Sequence, residues 1–158
     1  MFTKVLWATD GSAHADRAMA PAVDVAKGDG AELHVVHVVE KLVSGRASGL
    51  DAFGNEDEIK AKVRRQATAI ARDNGIKTVV HVVAARSMKI AEAICDVADQ
   101  TDSDLIVVGT RGHGSVGALM LGSVTQGLLH SSPCPVLAVP PGAAKAADTT
   151  PEPAATVG

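Results

Sequence analysis

Five short apolar runs recur along this chain: Lys4–Thr9, Glu32–Val39, Lys77–Val83, Asp104–Gly109 and Cys134–Val139. The stretches between them carry apolar residues at helical spacing. Ser12 to Lys27 places Ala18, Ala22, Val25 and Ala26 on one face, and Glu56 to Asn74 does the same with Ile59, Val63, Ala67, Ile70 and Ala71. Ser87 to Gln100 repeats the pattern with Ile90, Ile94, Val97 and Ala98, and a short helix opens at Val124 and runs to His130. Strands that alternate with helices form right-handed β-α-β units, and those units build a parallel sheet. At 158 residues the chain is sized for one domain with its own core. There is no internal repeat and no sign of a second domain.

Punctuation refines that outline. Pro21 lies inside the first helical stretch and predicts a kink or a loosened turn. Gly28 and Gly30 end that helix, and Asn74-Gly75 ends the next. Glu40 to Asn55 contains Gly45, Gly49, Gly54, Ser44, Ser48 and Arg46, and reads as a long flexible connection. Residues 1–140 are the expected domain. Residues 141–158, rich in Ala, Thr and Pro and without a periodic face, are the expected disordered tail.

Several classes of function are disfavoured. Net charge is −3 and aromatics are 2% of residues, with no Tyr, so neither a basic patch nor base-stacking platforms for nucleic acid are evident. No apolar stretch reaches membrane-spanning length. The first residues run straight into a strand, so a signal peptide is not expected and a cytoplasmic location is. Cys95 and Cys134 lack metal-ligand or redox-motif spacing and read as small buried hydrophobes.

The chemistry-bearing motif is Gly109-Thr-Arg-Gly112, nine residues, then Gly122-Ser123. It joins the end of a buried strand to the start of the last helix. Glycines there let a ligand approach the main chain, and a helix N-terminus offers N–H groups to an anion. Ser123 and Gln126 fit a capping box. The motif is not a Walker A loop, because no Gly-Lys-Ser/Thr is present, and no G-x-G-x-x-G follows the first strand.

Asp10 ends the first strand, where open parallel sheets bind ligands. It has two uses: capping the following helix, or accepting from a base amine or ribose hydroxyl. Arg111 and His113 sit in the glycine segment and either neutralise phosphate or face water. His34 and His37, three apart on a strand, point to opposite faces and cannot share a metal; each reads as a packed or surface histidine. Spacing reveals no Ser-His-Asp or paired-carboxylate constellation.

These residues resemble the universal stress protein family in its ATP-binding branch. Gly109, Gly112, Gly122 and Ser123 meet the family pattern G-x2-G-x9-G-[S/T], and Ala8-Thr9-Asp10-Gly11-Ser12 and Ser132-Pro133-Cys134-Pro135-Val136-Leu137 match as well. The resemblance covers residues 2 to 140. It implies an α/β fold: an open, parallel five-stranded sheet in order 3-2-1-4-5 with helices on both faces, like the adenine nucleotide alpha hydrolases. It implies ATP, usually with Mg²⁺, with adenine at Asp10 and Val38 and phosphates at Gly109, Gly112, Gly122, Ser123 and Val124. It also implies a regulatory homodimer paired through the fifth strand (Val136, Leu137, Val139), with at most slow ATP hydrolysis. An AMP- or cAMP-preferring relative, or a dimeric interaction module without nucleotide, are the alternatives. Relatives often carry Gly-x-Pro or Gly-x-Ala after the third strand, where this chain has Ala85-Arg86-Ser87.

Overall fold

A computed structural model describes residues 1–41, 51–86, 89–111 and 121–141, and of residues 51–55 the backbone only. The elements, in chain order, are β1 (Lys4–Thr9), α1 (Ala13–Asp16), α2 (Met19–Asp29), β2 (Glu32–Glu40), α3 (Asp51–Asn74), β3 (Thr78–Ala85), α4 (Ile90–Thr101), β4 (Leu105–Gly109), α5 (Ser123–Ser131) and β5 (Val136–Val139). The five strands form one parallel sheet in order β3-β2-β1-β4-β5.

Strand alternation sends successive side chains to opposite faces. Val5 and Trp7 of β1 join Leu33, Val35 and Val107 in one buried layer, which α2 and α3 cover with Ala22, Ala26, Val63, Ala67 and Ile70. Leu6 and Ala8 join Val36, Ile106 and Val108 in the other layer, covered by Ile94, Val97 and Ala98 of α4 and Leu128 of α5. Each large aliphatic side chain in these layers contributes about 1.5–3 kcal/mol by leaving water. Both faces of the central strands are thus buried, as near-continuous apolar runs such as Leu105–Val108 require.

The first helical stretch is two helices. Pro21 has no N–H to offer the Arg17 carbonyl, and the chain there makes tighter bonds, with Ala18 N donating to Ala15 O at 3.0 Å. The loosened turn falls at Arg17–Ala18, so Pro21 occupies the first turn of α2, where its missing N–H costs nothing. Three expectations are corrected. α3 starts at Asp51, so residues 51–55, Gly54 included, are helical and not connection; an interior glycine weakens a helix by only about 1 kcal/mol. The last helix has Gly122 as its N-cap, with no side-chain cap, and Ser123 as its first helical residue. The Gln126 side chain donates to Leu121 O instead of closing a capping box. Strand β3 also runs two residues further than its apolar run predicted, to Ala85.

Helices α4 and α5 lie close together because Gly127 faces Ala91. A Cβ at Gly127 would come within 2.7 Å of the Ala91 Cβ. That approach seats the N-terminus of α5 beside the carboxyl end of the sheet. The segments 42–50 and 112–120 and the tail from residue 142 lie outside the described residues, and with them Gly112, His113 and the expectation of tail disorder.

Candidate functional site

Strand β1 ends in a turn that its own side chains hold. Gly11 N donates to Thr9 Oγ1 at 3.1 Å, Ser12 N donates to Asp10 Oδ1 at 2.9 Å, and Ala15 N donates to Ser12 Oγ at 3.1 Å. Ser12, not Asp10, is therefore the N-cap of α1. Asp10 supports that cap one step back, in an Asx turn. Gly11 has φ +76°, and its missing Cβ leaves room for Ile59 of α3; a Cβ would sit 2.7 Å from Ile59 Cγ2. Lys62 donates to Gly11 O and to Asp16 Oδ2, both at 2.7 Å, and Gln66 Nε2 donates to Asp16 Oδ1 at 3.0 Å. One face of α3 thus clamps the turn that carries Asp10.

Strand β2 outruns β1. Their register ends at Thr9↔His37, while β2 stays paired with β3 as far as Glu40↔Ala85. Glu32 N donates to Thr3 O and Leu33 N to Lys77 O, so even-numbered residues of β2 turn their peptide groups toward β1. The carbonyl of Val38 consequently points past the end of β1. Beside it, His37 is buried: its Nδ1 lies 3.0 Å from Thr9 O and its Nε2 2.8 Å from Glu56 Oε1. Two oxygens face the ring, so Nδ1–H donates to the Thr9 carbonyl, and one proton is held between Nε2 and the Glu56 carboxyl.

On the other side of the crevice, β4 ends at Gly109. A Cβ there would meet the His14 carbonyl at 3.0 Å, so α1 packing alone already calls for glycine. Two bonds tie the end of β4 to the start of α5: Gly122 N to Thr110 O and Thr125 Oγ1 to Gly109 O, each 2.9 Å. Gln126 N closes the first helical bond, onto Gly122 O at 3.0 Å. The preceding first-turn amides, Ser123 to Thr125, have no acceptor within a helix.

These ends enclose a cleft of about 670 Å³ over the carboxyl ends of β1 and β4, the point where strand order reverses. Asp10, Val38, Gly109, Gly122, Ser123 and Val124 all line it; Gly112 falls outside the described residues. Arg111 lines it too. So do His37, Glu56 and Thr125, which the sequence reading did not select. Ile90, Ile94, Val108 and Ile59 supply apolar walls. Ala85 is not part of the lining, so the departure after β3 leaves the described wall untouched. Trp7 is fully buried beneath the cleft, its Nε1 3.4 Å from the carbonyl of Ala15, a lining residue. His34 is on the opposite face of β2 from His37 and pairs with His81 of β3, Nδ1 to Nε2 at 2.9 Å.

A family model described as the universal stress protein family matches residues 1–140. The chain belongs to the universal stress protein family. A universal stress protein of Thermus aquaticus is 40% identical over 144 residues, spanning 88% of this chain and 99% of the relative. Among solved structures, the universal stress protein UspA from Lactobacillus plantarum superposes with a TM-score of 0.73 at 24% identity, over 87% of this chain and 97% of that one. A universal stress protein solved in complex with cAMP superposes with a TM-score of 0.64 at 25% identity, over 87% of this chain and 96% of that one. The sheet order and the two helical layers of this chain are those of an α/β universal stress protein fold.

Proposed function

We propose that this universal stress protein binds ATP with Mg²⁺ in the cleft above β1 and β4, and acts in the cytoplasm as a regulatory homodimer whose hydrolysis of ATP is at most slow. The observation that carries this reading is the chemical division of the cleft. Main-chain and carboxylate acceptors gather on the β1–β2–α3 side: the Val38 carbonyl, Asp10, Glu40 and Glu56. Arg111 and the first-turn amides of α5 gather on the β4–α5 side. Isoleucine and valine side chains lie between. A ligand matched to this arrangement has hydrogen-bond donors and a flat apolar ring at one end and anionic oxygens at the other, as an adenine nucleotide does.

Mg²⁺ would travel with the triphosphate. The described residues hold no group of three or more His, Cys, Asp and Glu side chains suited to a metal, and Mg²⁺ commonly keeps water and phosphate oxygens as ligands. Slow hydrolysis fits a cleft whose described lining contains no lysine to neutralise a transferring phosphoryl group. The dimer reading rests on β5, an edge strand whose one neighbouring strand among the described residues is β4. Val139 is buried and Val136 half-buried, so of the three apolar residues Leu137, at 38% exposure, is the one the edge presents.

The relative solved with cAMP supports an adenine nucleotide and makes AMP or cAMP preference the second reading. One experiment separates these. Protein purified in its native state is denatured and the released nucleotide is chromatographed. The nucleotide-free protein is then titrated with Mg²⁺-ATP, AMP and cAMP while Trp7 fluorescence is followed. ATP binding ahead of AMP and cAMP is the expected result. Failure to recover or bind any adenine nucleotide would leave a dimeric interaction module instead.

A further inference from the structure

Glu56 stands at the cleft wall for a reason that the clamp on α3 does not exhaust. Its Oε1 is fixed 2.8 Å from Nε2 of His37, whose ring is itself fixed on the Thr9 carbonyl. The His37 side chain is 3% exposed and the Glu56 side chain 23% exposed. Burial of the imidazole and its two anchors leaves the Glu56 carboxyl little rotational freedom. Its second oxygen has no hydrogen-bond partner among the described residues, and the side chain lines the cleft on the same side as the Val38 carbonyl and Asp10. A carboxylate oxygen accepts two hydrogen bonds or more, so a preoriented one at a cleft wall is a ready acceptor.

We infer that Glu56, oriented by His37, is a specificity-determining residue that accepts a hydrogen bond from the nucleoside half of the bound nucleotide. This rests on the nucleotide reading above and adds the group that reads the uncharged end of the ligand. The shared chemistry is an O–H or N–H donor: a ribose hydroxyl or the exocyclic amine of the base. Carboxylate recognition of this kind rejects an analogue lacking the donor, because the acceptor is then left desolvated and unpaired.

Affinities for three Mg²⁺-nucleotides test the assignment: ATP, 2′,3′-dideoxy-ATP, which lacks both ribose hydroxyls, and purine riboside triphosphate, which lacks the amine. Wild-type protein is expected to discriminate against one of the two analogues by about tenfold or more, and which one identifies the donor. Glu56→Met keeps length and removes the acceptor. It is expected to bring ATP down to the affinity of that analogue while leaving the analogue's own affinity unchanged. Glu56→Gln keeps an oxygen for the ligand and an amide N–H for His37 Nε2, and is expected to retain the discrimination within about threefold. The inference is overturned if Glu56→Met weakens ATP and both analogues alike, which marks a purely structural residue, or if it leaves the discrimination intact. It is also overturned if wild-type protein binds all three equally. If wild-type protein binds none of them, the nucleotide reading itself falls.

Discussion

Thr125 Oγ1 donates to the carbonyl of Gly109 across 2.9 Å, from the first turn of the last helix to the last residue of the central strand beside it. Thr125 is 2% exposed, so this bond is shielded from water. Together with the Gly122 N to Thr110 O bond it fixes where the first-turn amides of α5 stand relative to the sheet. Thr125→Val keeps the shape and removes the donor. The buried Gly109 carbonyl then loses a partner, at a cost of about 1–3 kcal/mol. Chemical denaturation should show that loss. ATP affinity should fall more than adenosine affinity, because only the phosphate end depends on the helix position. Thr125→Ser should restore most of both.

The turn carrying Asp10 gives a second prediction. Gly11 is in the left-handed region and faces Ile59 with no space for a methyl group. Gly11→Ala meets both the backbone penalty and the clash, and should destabilise the fold by about 2–4 kcal/mol. Adding Ile59→Ala removes the clashing Cγ2 and none of the backbone strain. The double variant should therefore lose less stability than the two single losses added together, while the backbone part of the Gly11 loss remains.

The element order was legible because each strand is a compact apolar run and each helix keeps its apolar stripe. The cleft's floor was legible too, since strand ends and glycines are local signals. What stayed hidden depends on contacts between distant segments. Nothing near Glu56 announces a bond to His37, nineteen positions earlier. His37 carried a weak signal: it shares a face with Leu33 and Val35 at the open end of its strand, yet a buried histidine needs a partner that only the fold supplies. Gly109 reads as a phosphate glycine, but the His14 carbonyl would crowd any side chain there regardless of ligand. The start of α3 was misplaced because Gly54 signals a break that a long helix absorbs.

His34 and His81 make stability depend on pH. Their rings are near parallel, with centroids 5.1 Å apart, and the bond between Nδ1 and Nε2 needs one nitrogen without a hydrogen. Burial, with the neighbouring His81 next, lowers the pKa of His34; Glu32, 3.5 Å from its Nε2, opposes this, and Lys4 adds to it. Burial lowers that of His81. Both pKa values fall below the unfolded value near 6.5, so the unfolded chain binds more protons as acid is added. The stability is present in full above about pH 6.5 and is lost as pH falls through the folded values. Denaturation midpoints should drop from about pH 7 to about pH 5, and His81→Asn should flatten that slope.

Leu137 tests the assembly. A charge on an exposed edge strand opposes strand pairing between copies. Leu137→Lys should shift sedimentation toward monomer while the far-ultraviolet circular dichroism stays unchanged, because Leu137 is partly exposed and β5 keeps its bonds to β4. A wild-type protein that already sediments as a monomer at micromolar concentration would contradict the dimer.

Gly122→Val is the sharpest test of the cleft. Gly122 has φ −60° and ψ 150°, an extended conformation that valine adopts readily. Its N–H bond to Thr110 O and its carbonyl bond from Gln126 N involve only main chain, so both survive the substitution. Backbone strain therefore gives no reason for glycine here, and an anion on the first-turn amides of α5 would need the space that a side chain takes. A valine side chain at the N-cap stands where an anion would approach those amides. The variant should unfold within about 1 kcal/mol of wild type, since substitutions without strain or buried polar loss cost little. ATP binding should fall by about a hundredfold or more, which corresponds to losing roughly 3 kcal/mol of helix-terminus and main-chain contacts. A variant that folds normally and binds ATP as wild type does would remove the phosphates from this end of the cleft.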